Sequence, residues 1–409
     1  MRTLLTLWMP LWTSALLLIP TMAQAATIRI EPDGSGDYPT IQLGVTAAAV
    51  GDTVLLANGT YVGDGNRDIS FDGKEIRLAS EYSDASMCII DCEGSSANPH
   101  RGFYFHGGEG TQARLADITI RNGYVEAGVG GAGISCDASS PTIMRVVFES
   151  CSASSGGGFY AINGGSPSLL ECSFIECTGW NYHGGAVFVR HTNAGFYDCY
   201  FKGNSCQRKG GALGFFEAGP VVSGCTFIGN EAHQSDPYFG GGAIHIDHCI
   251  GTSIDHCTFI DNHSDRGGAV YDLGAMTTYI NSCTFVRNSA TYGSGIFLRN
   301  SSPWIVQDII AFGQAGERAV FCAETSNPQI YDSCVFGNAG GDSLCGSYSE
   351  IIYVDPLFCD LWADDLTLQE NSPCLPQDPF DELIGAYGEG CGYSAVEERS
   401  WGMIKAMYR

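Results

Sequence analysis

Basic residues are scarce in this chain of 409 residues. It has 20 Lys and Arg against 45 Asp and Glu, which gives a formal net charge of −25 at pH 7. A surface of this sign repels nucleic acid and anionic membranes, so we expect no nucleic-acid partner. It also repels an acidic polysaccharide unless a divalent cation bridges the two. The simpler interpretation is that the acidity keeps an exported protein soluble.

Two further absences narrow the class of protein. None of the 18 cysteines forms a C-x-x-C pair, so the spacing typical of a structural zinc site is missing and we expect no zinc site. Beyond the N-terminus, no stretch approaches the ~20 apolar residues of a membrane span. Glycine, by contrast, is abundant, with 54 residues, which favours a turn-rich β fold over a helical one.

The N-terminal sequence has the pattern of an export signal. Arg2 precedes a mostly apolar stretch, Leu4 to Pro20, and Ala23-Gln24-Ala25 fits a cleavage site. This pattern predicts a signal peptide over residues 1–25 and a secreted or extracellular protein, with attachment to the cell surface as an alternative. A membrane anchor is disfavoured because Pro10 and Pro20 interrupt the apolar stretch.

A six-residue phrase recurs along the chain. Its clearest copies are Cys225–Asn230, Cys257–Asn262 and Cys283–Asn288, and its aromatic residue falls at 148, 174, 201, 227, 259, 285 and 336. Most intervals are 26 or 27 residues, and a degenerate copy near Ile310 fills the longest one. A fixed period of this length predicts stacked repeats, each of which contacts only its neighbours.

A second phrase, a glycine pair followed by a small and an apolar residue, interlocks with the first. Its apolar members form a column without a polar residue: Ile134, Phe159, Val187, Leu213, Ile244, Val270, Ile296 and Val320. Alternation within each strand turns this column inward and its neighbours outward. The repeating asparagines, Asn204, Asn230, Asn262 and Asn288, indicate a turn in register, because asparagine tolerates left-handed backbone angles. One apolar column per coil predicts a parallel β-helix, an all-β solenoid.

The repeat also divides the chain. Residues 26–393 form the solenoid, with an N-terminal cap and first coils over 26–115, regular coils over 116–340 and a C-terminal cap over 341–393. A short capping helix is expected over Thr40 to Val50, and strands over Thr53 to Ala57 and Ile76 to Ala79. Residues 394–409 differ in composition and form a separate tail.

At this point the chain resembles right-handed parallel β-helix repeat proteins of the pectin-lyase-like superfamily. The opening Gly34–Gln42 is similar to the start of pectin methylesterases, but the catalytic Asp and Arg blocks of those enzymes have no match, so an esterase is disfavoured. The tail, Ser394 to Arg409, resembles short endings on some secreted bacterial repeat proteins, which implies a sorting or attachment segment. An amphipathic helix that docks Trp401, Ile404 and Tyr408 on the end of the solenoid is the alternative.

The cysteines allow more than one interpretation. Five of them share one inward column, Cys172, Cys199, Cys225, Cys257 and Cys283, and we interpret these as small buried residues. Cys151 and Cys177 take the asparagine position in adjacent coils and are the best candidates for a disulfide. Cys88 with Cys92, and pairs among Cys322, Cys345, Cys359, Cys374 and Cys391, are also plausible.

Functional residues are expected where the repeat is interrupted. The connection before the glycine pair lengthens at Trp180–His183 and at His233–Phe239, beside an outward row of aromatic residues. The candidate ligand-binding residues are therefore Trp180, Tyr182, His183, Tyr238, Phe239, His245 and Tyr271, because sugar rings stack on exposed aromatic faces. The alternative is that the row stacks on itself and is covered by the loops.

Catalysis has weaker support. A polysaccharide lyase needs a base and a cation, and a hydrolase needs two carboxylates, which leaves Lys209, Asp236 and Asp247 as candidates and Ca²⁺ as the only cofactor to consider. The sequence favours a monomeric secreted protein that binds a polysaccharide or a cell-surface component without catalysis. A lyase or hydrolase acting in the same groove is the alternative.

Overall fold

The computed structural model describes residues 25–126, 128–233, 236–377 and 382–391. The predicted signal over residues 1–25, apart from Ala25, and the tail over 394–409 therefore lie outside the described residues. Within them, no helix is long and apolar enough to cross a membrane.

Parallel strands stack coil upon coil, as a β-helix requires. Each regular coil contributes two strands to a 23-stranded sheet, one to a 10-stranded sheet and one to a 7-stranded sheet. The first column of the large sheet comprises Thr27–Ile30, Thr53–Leu56, Arg77–Ser80, Arg114–Ala116, Thr142–Met144, Ser168–Leu170, Gly195–Tyr197, Val221–Ser223, Ile250–Asp255, Thr277–Asn281, Trp304–Val306, Gln329–Phe336 and Ser347–Ile352. The second comprises Gly59–Tyr61, Cys88–Asp91, Thr119–Arg121, Val147–Glu149, Ser173–Ile175, Tyr200–Lys202, Thr226–Ile228, Thr258–Ile260, Thr284–Val286 and Ile309–Ala311.

The two smaller parallel sheets form the other faces of the coil. The 10-stranded sheet comprises Ile69–Ser70, Phe103–Phe105, Ile134–Asp137, Phe159–Ile162, Val187–Arg190, Leu213–Phe216, Ile244–Asp247, Val270–Leu273, Ile296–Arg299 and Val320–Ala323. The 7-stranded sheet comprises Ser152–Ala153, Thr178–Gly179, Ser205–Cys206, Glu231–Ala232, His263–Ser264, Ser289–Tyr292 and Ala315–Glu317. The predicted all-β solenoid is confirmed.

One short helix, Ile41–Ala47, packs near the first strands. It begins at Thr40, whose side chain accepts a hydrogen bond from the backbone N–H of Leu43. The helix is shorter than the segment assigned to it from the sequence. Gly44 faces the core, where a Cβ would lie 2.7 Å from Ile30 Cδ1, so the helix can approach the first strand closely.

The repeated phrase forms the interior. The rings of Phe148, Phe174, Phe201, Phe227, Phe259 and Phe285 stack with centroid distances of 4.5 to 4.9 Å. Ile310 continues this column, as predicted, but Val335 follows it and Phe336 pairs with Ala311 instead. The assignment of Phe336 to the aromatic column is therefore wrong by one residue, and its ring packs outside the coil.

The asparagines have a different role from the one predicted. None of Asn204, Asn230, Asn262 and Asn288 has a positive φ; the residue before each of them does, for example Asp261 with a φ of 53°. Their side chains form a buried ladder instead. The Asn230 amide donates to the backbone oxygen of Phe201 at 3.0 Å and to Asn262 Oδ1 at 2.9 Å. The ladder satisfies backbone groups that the turns would otherwise leave unpaired.

The predicted disulfide between Cys151 and Cys177 is absent, because both are free and buried. They occupy the asparagine column and replace its hydrogen bonds. The Cys177 thiol donates to the backbone oxygen of Phe148 at 3.7 Å, and its backbone N–H donates to Asn204 Oδ1 at 2.9 Å. The thiols thus face carbonyl groups of the neighbouring coil.

Two disulfides form near the C-terminus, Cys322–Cys345 and Cys359–Cys391. Both come from the set of pairs considered plausible, whereas Cys88 and Cys92 are free. The five cysteines of the inward column are free and buried, as predicted.

The region assigned to a C-terminal cap lies mainly along the side of the solenoid. After Ser347–Ile352, an antiparallel pair, Phe358–Asp360 with Asp365–Leu368, packs on outward residues of the large sheet. Arg287 fixes it, because its guanidinium binds Asp261, Asp364 and the backbone oxygen of Leu361. We call residues 356–391, as far as they are described, the lateral strap.

Candidate functional site

The outward row of the 10-stranded sheet divides into an open half and a covered half. Strand register aligns Tyr104, Ser135, Tyr160, Phe188, Gly214, His245, Tyr271, Phe297 and Phe321 along one line. The residues from His245 to Phe297 are almost fully buried, whereas Tyr160 is partly exposed. A ligand can therefore reach only the part of the row that the loops leave open.

The loop that contains Pro237 covers the second half. Its backbone oxygen accepts hydrogen bonds from Tyr271 Oη at 2.8 Å and from the Arg299 guanidinium at 3.0 Å. The ring of Tyr238 packs on Arg299, with its centroid 4.4 Å from the guanidinium carbon.

His245 and Tyr271, both candidates from the sequence, have no exposed surface. Nδ1 of His245 bonds the backbone oxygen of Gly240 at 3.1 Å. Burial, reinforced by Lys209, lowers the pKa of His245 well below its usual value. The structure therefore removes these two residues from the accessible surface, in agreement with the covered alternative.

The first interruption, Trp180–His183, lies on the one position of the row without a side chain. A Cβ on Gly214 would lie 3.1 Å from His183 Cβ and 2.7 Å from the backbone nitrogen of Gly184. The ring of His183 then stacks on Phe188 at 4.8 Å. Burial and the nearby Lys209 lower the pKa of His183 to about 3, so the ring is neutral at physiological pH.

Arg208 joins the two interruptions. Its guanidinium lies over the ring of Tyr182 at 4.8 Å and over the ring of Phe239 at 5.4 Å. The sequence placed both interruptions on one edge, and the structure brings Tyr182 and Phe239 to the same cation. Tyr182 and Tyr238 are about half exposed, at 47% and 52%, whereas Trp180 is partly buried and its indole nitrogen has no partner among the described residues.

The candidate catalytic residues are occupied by structural contacts. Lys209 Nζ lies 2.5 Å from Asp247 Oδ2, and the other carboxylate oxygen lies 2.5 Å from His248 Nδ1. Burial acts to raise the pKa of Asp247, but His245 and Lys209 outweigh it and lower the pKa overall. Asp236 is exposed and accepts a hydrogen bond from the backbone N–H of Tyr238.

Lys209 and Asp247 are therefore engaged with each other, and the pKa of Asp247 is lowered, not raised. Within the described ranges, no group of three or more His, Cys, Asp and Glu side chains is arranged to hold a metal ion. Calcium stays a prediction.

The open half of the row is a groove, formed by two connected cavities of about 380 and 420 Å³. They share Tyr160 and the Gly128–Gly130 segment. The ring centroids of Tyr160 and Phe188 lie 5.6 Å apart. We call this surface the aromatic groove; its other side chains include Tyr104, Tyr182, His183 and Phe216.

Arginines flank the aromatic groove at intervals. Arg101 lies over the ring of Tyr104 at 5.2 Å, and Arg190 lies over the ring of Phe216 at 5.6 Å. In the part of the chain that the structure describes, the guanidinium groups of Arg101, Arg190 and Arg208 form no salt bridge. Asp68, the carboxylate of the second cavity, bonds the backbone N–H of Arg101 and the ring of His100. The aromatic groove thus carries positive charge in a chain whose net charge is −25.

Sequence reasoning missed Arg101, Tyr104, Arg190 and Phe216. The alternation Phe103-Tyr104-Phe105 was a usable signal, because it continues the outward row by two further coils. Arg190 and Phe216 take the fourth position of adjacent strands, and only the register brings their side chains beside the row.

Comparisons with known proteins agree with the fold. A family model described as a right-handed β-helix region matches residues 132–303. No curated protein matches the chain. The match agrees with the predicted right-handed parallel β-helix.

Solved structures with a similar fold have low sequence identity. Pectate lyase Pel9A is 14% identical with a TM-score of 0.46, over 90% of this chain and 97% of that one. Geobacillus virus E2 ORF18 is 16% identical with a TM-score of 0.48, over 74% and 61%. A rhamnogalacturonan lyase is 13% identical with a TM-score of 0.43, over 82% and 91%. At these values the likeness carries no argument about activity.

Proposed function

We propose that this right-handed β-helix repeat protein binds a carbohydrate polymer in the aromatic groove and does not cleave it. The observation that carries the proposal is the pairing of aromatic rings with arginines that lack a carboxylate partner. The partly exposed ring of Tyr160 and the exposed ring of Tyr182 offer stacking surfaces for sugar rings. Arg101, Arg190 and Arg208 add charged donors along the same line.

An anionic polymer fits this surface better than a neutral one. Guanidinium groups form bidentate hydrogen bonds with carboxylate and sulfate groups. The net negative charge opposes such a ligand at long range, but salt screens that repulsion beyond about 8 Å at physiological ionic strength. The positive charge within the aromatic groove therefore favours an anionic polymer over a neutral one, and no bridging cation is required.

Non-catalytic binding is favoured because Lys209 and Asp247 neutralise each other. Lys209 Nζ lies 2.5 Å from Asp247 Oδ2, so the contact of each group with the other competes with any contact to a sugar. A lyase or hydrolase is the alternative, and the buried position of this ion pair beside His183 is the observation that favours it.

The predicted export signal, together with the two disulfides, supports a site of action outside the cell. We extend the proposal to a secreted protein whose partner is a polysaccharide or a cell-surface component.

Binding to immobilised polymers tests the function. We expect polygalacturonate to bind more tightly than a neutral polymer such as a galactan. Tyr160→Ala and Arg190→Ala should each weaken binding about tenfold, which equals 1.4 kcal/mol. Tyr279→Ala is the matched control, because Tyr279 is 47% exposed on a different sheet. Unchanged binding by both groove variants would refute the proposed site. Formation of unsaturated sugar ends, detected by ultraviolet absorbance, would refute the non-catalytic reading.

A further inference from the structure

The last coil of the solenoid is open to solvent in the described part of the chain. Inward residues of the first column, such as Ile280, Ile305 and Ile330, have no exposed surface. Tyr348 pairs with Ile330 and takes the same inward position in the final strand, yet it is 51% exposed. Among the described residues, Ser347–Ile352 pairs on one side only. An unpaired strand over an open apolar interior invites association, and natural solenoids cover such ends.

A pocket of about 670 Å³ lies beside this strand, between the final coil and the lateral strap. Its apolar lining includes Ile351, Ile352 and Leu375, and its carboxylates are Asp332, Glu350 and Glu382. No lysine or arginine lies among its described lining residues. We call it the terminal pocket; its chemistry suits a ligand that is apolar and basic at once.

The end of this chain has that composition. Residues 401–409 read WGMIKAMYR, with Trp401, Met403, Ile404, Met407 and Tyr408 as large apolar side chains. Lys405 and Arg409 are their only charged side chains, and both are basic. This sign is opposite to that of the terminal pocket and unusual in an acidic protein.

Chain length permits the contact. Ile384 lines the terminal pocket, and Cys391, the last described residue, lies seven positions after it. At a maximum of ~3.6 Å per residue, Cys391 lies within ~25 Å of Ile384. The ten residues from 392 to 401 can extend over ~33 Å. Trp401 can therefore return to the terminal pocket without any rearrangement of the coils.

We propose that residues 401–409 bind the terminal pocket of their own chain and cover the exposed final strand. Lys405 and Arg409 pair with Asp332, Glu350 and Glu382, while the apolar side chains contact Ile351, Ile352 and Tyr348. A second copy of the protein is the competing occupant, and the net charge of −25 per chain opposes it.

Zero-length crosslinking of the full-length protein tests the contact directly. A carbodiimide joins a lysine amine to a carboxylate in direct contact, and mass spectrometry locates the bond. We expect Lys405 to be linked to Asp332, Glu350 or Glu382 in the monomer. In a mixture of ¹⁴N- and ¹⁵N-labelled protein, these links should join residues with the same label. Links between labels would show that a second copy occupies the terminal pocket and would overturn the proposal, as would Lys405 without any link to these carboxylates.

Amide hydrogen exchange tests the covering of the strand. In the full-length protein, Ser347–Ile352 should exchange slowly, and Trp401→Ala with Ile404→Ala should accelerate its exchange about tenfold. Val396→Ala is the matched control, because it removes an apolar side chain of the tail outside residues 401–409. Equal exchange in the double variant and the control would overturn the proposal. The melting temperature of the solenoid, measured by circular dichroism, should be the same in all variants.

Discussion

Gly214 lies directly beneath His183, and a Cβ at that position would come within 3.1 Å of His183 Cβ. The absence of a side chain in one coil is therefore what admits the longer connection of the coil before it. Trp180–His183 can then border the aromatic groove, where His183 stacks on Phe188. A gap in a repeated row and a lengthened loop are thus two parts of one arrangement.

Gly214→Ala should displace this connection, because the new methyl group would lie 2.7 Å from the backbone nitrogen of Gly184. We expect a loss of about 1–3 kcal/mol in the free energy of unfolding, measured by urea denaturation, together with weaker polymer binding. Gly388→Ala is the control, because its nearest atom would be 4.0 Å away on a leucine side chain. Equal stability of the two variants would contradict the packing described for Gly214.

The asparagine ladder predicts a ranking of substitutions at Asn262. Its Oδ1 accepts from the backbone and side-chain amides of Asn230, and its Nδ2 donates to the backbone oxygen of Phe227. Its Nδ2 also donates to Asn288 Oδ1 at 3.0 Å. Asn262→Leu removes all four bonds from a buried site and should cost about 3 kcal/mol or more, since unpaired buried groups each cost about 1–3 kcal/mol. Chemical denaturation measures this loss.

Asn262→Cys should cost less than Asn262→Leu, because Cys177 shows that a thiol at this position can donate to a carbonyl of the neighbouring coil. Equal losses in the two variants would contradict the view that the hydrogen bonds, rather than the fit of the side chain, determine the effect.

The sequence was sufficient for the architecture because the repeat is governed by local alternation and a fixed period. Phe227, Phe259 and Phe285 stack as the spacing predicted. The error on the asparagines arose because the repeat marks the position of a turn without showing which residue of the turn has the left-handed backbone angle. Asn262 was assigned to a left-handed turn, but Asp261 has the positive φ and Asn262 supplies the ladder.

The candidate site was predicted less well, because the position of each loop determines which aromatic residues of the outward row are buried. The row that contains Tyr160 and Tyr271 looks uniform in sequence. Pro237 and Gly240, from a loop of the preceding coil, bury Tyr271 and His245. Burial of this kind depends on the path of a loop, and neither composition nor spacing contains that path.

The cysteines make a prediction about thiol chemistry. All 14 free cysteines are buried, and burial raises the pKa of most of them, Cys136 and Cys88 included. Thiolates are the reactive form, so almost none of the thiols in the native protein should react with a disulfide reagent such as DTNB. Unfolding without a reductant should then expose 14 thiols. A lower count would contradict the free state of these cysteines.

Asp272 should make stability depend on pH. Burial raises its pKa to about 6 from 3.8, although Ser301 donates a hydrogen bond to its carboxylate at 2.7 Å. Between these two pKa values the folded state holds a proton that the unfolded state has released. The free energy of unfolding contributed by this group is therefore greatest below pH 3.8 and falls as the pH rises to about 6, by about 3 kcal/mol in all.

Other carboxyl groups contribute their own pH dependence, so the informative quantity is the difference between the wild type and Asp272→Asn. That variant keeps a neutral, hydrogen-bonding side chain at every pH. It should gain stability relative to the wild type as the pH rises from 4 to 7, as measured by urea denaturation at each pH. A difference that stays constant across this range would show that Asp272 is not protonated in the folded protein near pH 5.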